Sequence, residues 1–221
     1  MARQNEGNPV ISEKTIGRLS LYRRLLNVLQ GEGHRHVFSH QLAGIAGCTA
    51  AQVRRDLMAV GYSGSPIHGY EVARLIESIR EFLDAPGGQG VALVGVGNLG
   101  KAILAYFTGR RPNLRIVAAF DNDTHKVNRV IHGCHCHAMA DLPQVVKKLG
   151  IRLAIITVPA NAAQEVADGL SRAGVRGLLN FAPVRLRVPP SVYVEDIDMT
   201  MSLEKVAYFA RLGVAEKEGK P

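Results

Sequence analysis

The feature that most constrains this chain is a glycine pattern whose surroundings are as specific as its letters. Val91-Ala92-Leu93-Val94 is a short unbroken apolar run, as a strand buried on both faces of a parallel sheet requires. It leads straight into Gly95-Val96-Gly97-Asn98-Leu99-Gly100, and Lys101 to Phe107 continues as a helix. A second apolar run, Arg115 to Phe120, ends at Asp121, 21 residues after Gly100. G-x-G-x-x-G alone is a weak signal. Between a strand and a helix, with an acid at that distance, it reads as a dinucleotide-binding βαβ unit. Gly95 allows the tight turn, Gly97 puts no Cβ in the way of a pyrophosphate, and Gly100 lets the helix pack closely on the sheet. The helix N–H groups and dipole then face the phosphates. Asp121, with Asn122 beside it, would accept hydrogen bonds from the adenosine ribose and repel a 2′-phosphate, favouring NAD(H) over NADP(H).

The alternation of strand and helix continues. Helices are expected over Asp141 to Leu149 and Ala162 to Arg172, and strands over Leu153 to Val158 and Gly177 to Phe181. The last two strands end in Thr157-Val158-Pro159 and Asn180-Phe181-Ala182-Pro183. Ligands bind at the carboxyl ends of strands in open parallel sheets, so these loops should line the nicotinamide half of a pocket. Neither holds a His, Lys or Cys to move a proton beside a hydride acceptor, which weighs against a dehydrogenase. No catalytic residue is assigned.

Asp84-Ala85-Pro86-Gly87-Gly88-Gln89-Gly90 breaks any helix and uncouples its two sides. The domains expected are therefore 1–84, a linker at 85–90, a Rossmann-type domain at 91–198, and a C-terminal helix and tail at 199–221. In the N-terminal part, Ile16, Leu19, Tyr22, Leu26 and Leu29 form an apolar stripe on a helix from Thr15 to Gln30 that Gly31 and Gly33 end. Ser39 reads as the N-cap of a short helix, Gln41 to Ala46, stopped at Gly47-Cys48. Thr49 starts the next helix with capping-box spacing to Gln52. There Val53, Leu57 and Val60 face inward, leaving Ala51, Gln52, Arg54, Arg55, Met58 and Ala59 outward. This is helix-turn-helix arithmetic: small residues permit close approach to base edges, and Arg and Gln donate to bases or phosphates. The turn-rich stretch Tyr62 to Tyr70 suits a β-wing along the phosphate backbone, and a helix from Val72 to Leu83 closes the unit. The expected DNA contacts are Ser39, Gln41, Thr49, Ala51, Gln52, Arg54, Arg55, Met58, His68 and Tyr70.

The formal charge of +8 is spread along the chain, so it leaves nucleic acid open as a partner without arguing for it. Apolar runs are far short of the roughly 18 residues that span a bilayer. The polar start shows no secretory signal, and three cysteines point to a reducing cytoplasm rather than a disulfide framework. His132-Gly133-Cys134-His135-Cys136-His137 invites a metal. It has no second ligand pair at the separation a structural zinc site needs, so the expectation is an edge-buried strand with both thiols on one face, both histidines on the other, and no metal. The last helix, Leu203 to Leu212, is apolar on more than one side, with Leu203, Val206, Ala207 and Ala210 on one face and Tyr208, Phe209 and Leu212 elsewhere. That suggests a subunit interface.

A helix-turn-helix, a glycine linker and a dinucleotide fold without a catalytic group now stand in one chain. From about Ile16 to Leu212 the sequence closely resembles the Rex family of bacterial redox-sensing transcriptional repressors. The matching segments are Arg18-Leu19 with Tyr22, Gln52 to Leu57, Gly69-Tyr70, Gly95 to Gly100, Phe120 to Asp123, Thr157 to Ala160, Asn180 to Val184, and Val194 to Asp198. The resemblance implies a winged helix-turn-helix domain plus a Rossmann-type parallel-sheet domain, with the last helix exchanged between the subunits of a homodimer. It also implies an AT-rich inverted-repeat operator and release from it when NADH, rather than NAD⁺, closes the dimer. An Arg–Tyr–Asp set linking the domains looks matched by Arg24, Tyr106 and Asp198. Met199 stands where the family often places a phenylalanine directed at the partner's nicotinamide, and Met58-Ala59-Val60 and Pro66-Ile67-His68 depart from the family's recognition helix and wing. An apolar pocket would penalise the charged ring of NAD⁺ and so favour NADH. The rivals are an NAD-dependent oxidoreductase and a coenzyme A-binding interaction module.

Overall fold

The computed structural model describes residues 11–109 and 113–218, with the side chains of 213–218 left aside. The chain divides into two compact units, Met1–Pro86 and Gly87–Pro221.

The first unit is built from α1 (Glu13–Gly31), β1 (His36–Val37), α2 (Ser39–Ala46), α3 (Ala50–Ala59), β2 (Tyr70–Glu71) and α4 (Val72–Leu83). Leu19, Tyr22 and Leu26 of α1, Leu42 of α2, Val53 and Leu57 of α3, and Leu75 and Ile79 of α4 are all fully buried in one core. Ser12 caps α1 by accepting the Thr15 N–H. Gly47, at φ +67, closes α2 in the left-handed region, where glycine has no Cβ penalty. Two-residue strands β1 and β2 pair antiparallel, His36 opposite Glu71 and Val37 opposite Tyr70, and a Ser65–Gly69 bridge makes the tip between α3 and β2. Three helices and a small β-ribbon in this order make a winged helix.

Ser39 is not the N-cap of α2. Phe38 holds that position, and Ser39 is the first helical residue. The backbone N–H of Phe38 donates instead to the Gln41 side chain, 2.8 Å away.

The second unit is a seven-stranded sheet in the order β5-β6-β4-β3-β7-β8-β9. Its strands are β3 (Gln89–Val94), β4 (Leu114–Asp121), β5 (Val130–Ile131), β6 (Cys134–Ala138), β7 (Leu153–Ile156), β8 (Gly177–Asn180) and β9 (Tyr193–Asp196). All pairings are parallel except β5 with β6. Helices α5 (Asn98–Phe107), α6 (Leu142–Lys148) and α7 (Ala160–Ala173) lie in the crossovers, and α8 (Met199–Glu218) follows β9. Taken in chain order and leaving out the short β5, the parallel strands run 3-2-1-4-5-6, the doubly wound arrangement whose order reverses between β3 and β7. Cores fill both faces of the sheet: Val94, Phe120, Ile156 and Leu170 on one side, Leu93, Ile103, Leu104 and Ile155 on the other.

Several element boundaries move, and two of them bear on the domain division. Gln89 and Gly90 already pair with β4, so the connecting segment expected over 85–90 is shorter by two residues. The final helix starts at Met199 rather than Leu203, because Asp198 caps it by accepting the Met201 N–H at 2.8 Å.

Candidate functional site

At the point where strand order reverses, the ends of β3, β4 and β7 surround a cavity of about 460 Å³. Gly95 turns the chain out of β3 at φ +96, and a Cβ there would stand 2.8 Å from the Thr157 carbonyl. Thr157 completes the turn by donating its hydroxyl to the carbonyls of Gly95 and Val94, at 2.6 and 3.1 Å. Gly100 is buried, and a Cβ on it would overlap the Gly95 carbonyl oxygen. Gly97 is different. Its φ is −77, and nothing lies within 4 Å of where its Cβ would be. The fold does not need glycine there, but a ligand approaching the start of α5 does. That helix begins without a side-chain cap, so its first N–H groups are left to an anion.

Asp121 ends β4 at the rim. One carboxylate oxygen accepts the Val96 N–H at 2.7 Å and the Lys126 ammonium at 3.1 Å, and the other accepts the Asp123 N–H at 2.8 Å. Burial alone would raise its pKa. The two backbone N–H groups and Lys126 outweigh that, holding the carboxyl below the usual range. The opposite wall is apolar, made by Val158, Pro159, Val166 and Phe181. Among the described residues the ionisable side chains lining the cavity are Asp121 and Lys126, tied to each other at one end.

The cavity therefore brings together Gly95, Gly97, Leu99, Asp121, Asn122, Thr157, Val158, Pro159 and Phe181 of the expected cofactor residues. Others have different places. Val96 turns its side chain into the core and offers its N–H to Asp121, and Asn98 is exposed at the helix start. Asn180 is a correction: it is buried, and its amide donates to the carbonyls of Ala182 and Val184 and to Asp196, while its oxygen accepts the Ala182 N–H. It shapes the loop that presents Phe181, leaving no donor for a ligand. Ala182 and Pro183 line a separate depression of about 260 Å³ with Asp198 and Met201. Lys126 is the residue that inspection of the sequence missed. Its signal was present, a lysine five residues after the strand-terminal acid with Asp123 between.

In the winged helix, Thr49 accepts the Gln52 N–H at 3.2 Å, but the capping box is not reciprocated. The Gln52 amide donates to Asp56 instead. Asp56, only 2% exposed, also accepts a two-pronged contact from Arg18, at 2.6 and 2.8 Å, and the Tyr22 hydroxyl at 3.0 Å. Burial would raise the Asp56 pKa, but hydrogen bonds from Arg18, Gln52 and Tyr22 leave it lowered. This network clamps α3 onto α1. The face of α3 turned away from it carries Ala51, Arg54, Arg55 and Met58, all exposed. Arg54 donates to Ser39 at 3.1 Å, and Arg55 has no protein partner among the described residues. His68 is exposed at the tip of the wing, where Ser65 accepts its N–H. Tyr70 is another correction. It is 7% exposed and packs in the core because the β1–β2 register turns it inward beside Val37; it supports the wing and is no contact surface. Gln41 and Thr49 are exposed and each accepts a backbone N–H in a local cap, and the half-buried Gln52 donates its amide to Asp56.

Arg24 is exposed on α1, Tyr106 is exposed on α5 with its ring edge-on to Phe107, and Met199 is exposed at the start of α8. Asp198 is exposed and caps α8. The histidine–cysteine strand follows the expected alternation: Cys134 and Cys136 are buried, His135 is exposed and His137 half-buried. Among the described residues no group of three or more His, Cys, Asp or Glu is placed to hold a metal, and no helix is long and apolar enough to cross a membrane.

Residues 88–184 match the family model described as a CoA binding domain, and residues 10–57 that of a putative DNA-binding protein N-terminus. The chain is 41% identical over 199 residues to the redox-sensing transcriptional repressor Rex of Brevibacillus brevis, covering 90% of this chain and 96% of that one. It is 41% identical over 194 residues to the Rex repressor of Roseiflexus, covering 88% of each. Among solved structures, RSP, a Rex-family repressor, superimposes with a TM-score of 0.84 at 27% identity, over 96% of this chain and 99% of that one. RSP in complex with β-NAD⁺ and operator DNA gives 0.85 at 28%, over 96% and 97%. RSP in complex with β-NADH gives 0.83 at 28%, over 96% and 100%.

Proposed function

Because the chain belongs to the Rex family of redox-sensing transcriptional repressors, we propose that it is a cytoplasmic repressor that binds an AT-rich inverted repeat as a homodimer and leaves it when NADH is bound. The observation that carries this reading is the pairing of an uncapped α5 behind Gly97 with the Asp121 carboxylate, at a reversal of strand order, in a cavity without a proton-transfer group at its apolar end.

The residues fit a nicotinamide dinucleotide. The α5 N–H groups and dipole suit its pyrophosphate, Asp121 its adenosine ribose, and Val158, Pro159 and Phe181 an uncharged ring. The bound coenzyme supplies a ring that carries a positive charge only when oxidised. The apolar wall gives that charge no counter-ion, and burying an unpaired charge is costly, so this wall selects the reduced form. With no acid or base at that end, the site binds the coenzyme without turning it over, and the chain acts as a sensor and not an enzyme.

DNA contact falls to Arg54, Arg55, Ala51 and Met58 on α3 and to His68 on the wing. The two-fold partner falls to α8, where Leu203, Val206 and Phe209 are each more than three-fifths exposed within one chain; an exchanged helix covers such a surface. Arg24, Tyr106, Asp198 and Met199 are then the residues through which the winged helix (1–86) senses what the Rossmann unit has bound. A coupling of about 1–3 kcal/mol changes DNA affinity about 5–150-fold.

Fluorescence anisotropy on a labelled AT-rich inverted repeat tests the reading, with NADH, NAD⁺ and coenzyme A added separately. Release by NADH with little effect of NAD⁺ or coenzyme A is the expected result. Release by coenzyme A alone would replace the redox reading by the one that the CoA binding family model suggests.

A further inference from the structure

The repressor reading leaves the histidine face of β6 without a role. His135 and His137 alternate along the strand, so they project from the same side. Their ring centroids are 4.3 Å apart and inclined at 51°. Neither imidazole makes a hydrogen bond among the described residues. His137 is half-buried with its ring 5.6 Å from that of Phe120, its register partner on β4, which fixes the orientation of one member of the pair. His135 is exposed. The thiols of Cys134 and Cys136 are buried on the other side of the strand and take no part.

Two imidazoles without a hydrogen-bond partner among the described residues, this close on the same side of one strand, are spaced to share one ion through nitrogen ligands. Neutral imidazole suits borderline divalent ions and not the oxygen-seeking Mg²⁺ or Ca²⁺. We propose that His135 and His137 form an exchangeable chelating site for a borderline divalent cation such as Zn²⁺ or Ni²⁺. Since no third His, Cys, Asp or Glu is placed to join them, water fills the remaining positions. This is an open site whose loading follows the free ion concentration, unlike the closed structural zinc site that the sequence argues against. Asp141 and Lys148 are the charged groups that act on His137 from outside the strand; they set the local field without ligating.

The test is calorimetric titration of the full-length protein with Zn²⁺ and with Ni²⁺, repeated on His135→Asn and on His137→Phe. The phenylalanine keeps a ring against Phe120, and circular dichroism checks that each variant is folded. One ion per chain is expected, with each substitution weakening it at least about tenfold, the lower end of what loss of even a supporting group costs a metal site. The winged helix holds a competing pair, His36 and His68, with centroids 6.4 Å apart. Binding that survives both β6 substitutions but is lost in a His36→Asn, His68→Asn double variant overturns the proposal, as does no binding at all to the unaltered chain.

Discussion

Among the described residues, Asp56 in one unit and Asp121 in the other are each held by donors from three residues, and the two are built for different ends. Asp56 is sealed. Its donors are the long side chains of Arg18, Tyr22 and Gln52, drawn from α1 and from its own helix. Asp121 is open on one side. Two of its donors are backbone N–H groups fixed by the turn, the third is a lysine, and a cavity lies beyond. A carboxylate surrounded by side chains from another helix clamps two elements. One held by backbone at a strand end keeps lone pairs in place for something that arrives. The same charge is structural in one unit and receptive in the other.

The sharpest break of this comparison is Asp56→Ala. It strands the Arg18 guanidinium and the buried Tyr22 hydroxyl, and removing one partner of a buried ion pair costs about 3–5 kcal/mol. Arg18 keeps some access to water, which places the loss near the lower end. Urea unfolding should show the winged-helix transition moving to lower denaturant, with DNA affinity lost and NADH affinity retained; equal loss of both would mean that the clamp serves the whole chain. Acid should reproduce the effect in the unaltered protein. The unfolded carboxyl takes up its proton near pH 4, and the folded one only at lower pH. The clamp's contribution is therefore complete above about pH 5 and fades as the pH falls through the folded value.

Gly97 and Gly100 carry the comparison into the second unit. A Cβ at Gly97 has nothing within 4 Å, so in Gly97→Val thermal unfolding should move little, while NADH affinity falls at least about a hundredfold, or about 2.7 kcal/mol. Gly100→Ala must displace the Gly95 turn and should cost about 1–3 kcal/mol of stability. If Gly97→Val still bound NADH, or lost stability as Gly100→Ala does, the cradle would be misplaced. On the DNA side, Arg55→Ala should weaken operator binding by about 1–3 kcal/mol in anisotropy and leave NADH affinity unchanged.

These contrasts also show what could be read from sequence. The strands β3, β4, β7 and β8 were accessible because strands buried in a parallel sheet are continuous apolar runs, and β3 and β7 are each followed by a helix of the right period. The cradle was accessible because only glycine meets its geometry. Side-chain commitments were not. Asn180 looks like a ligand donor until its amide is found bonded to Ala182, Val184 and Asp196, the last 16 residues away. Tyr70 looks like a wing contact until the two-residue pairing with β1, too short to leave a periodic signal, turns it inward. Gln52 has capping-box spacing, but a buried charge competes for its amide and wins. Asn180 and Tyr70 are misread where a long-range partner overrides a local pattern, and Gln52 where a buried charge one turn along its own helix does.

Lys126 offers the smallest and most discriminating test. The Asp121 carboxylate opposes a 2′-phosphate, but the ammonium 3.1 Å from it opposes that opposition. With one charge of each sign at the rim, selection against NADPH is partly cancelled. Lys126→Ala removes a partly exposed ion pair, worth about 0–1 kcal/mol to the fold, and leaves the two backbone N–H groups to hold the carboxylate. NADH affinity should stay within about twofold, while NADPH affinity should fall about tenfold, the change expected for about 1.4 kcal/mol. Asp121→Ala should move the ratio the other way. Calorimetry with both coenzymes on both variants decides the matter, because the two charges predict opposite signs; if the ratio moves the same way in both, Asp121 anchors the turn and does not read the ribose.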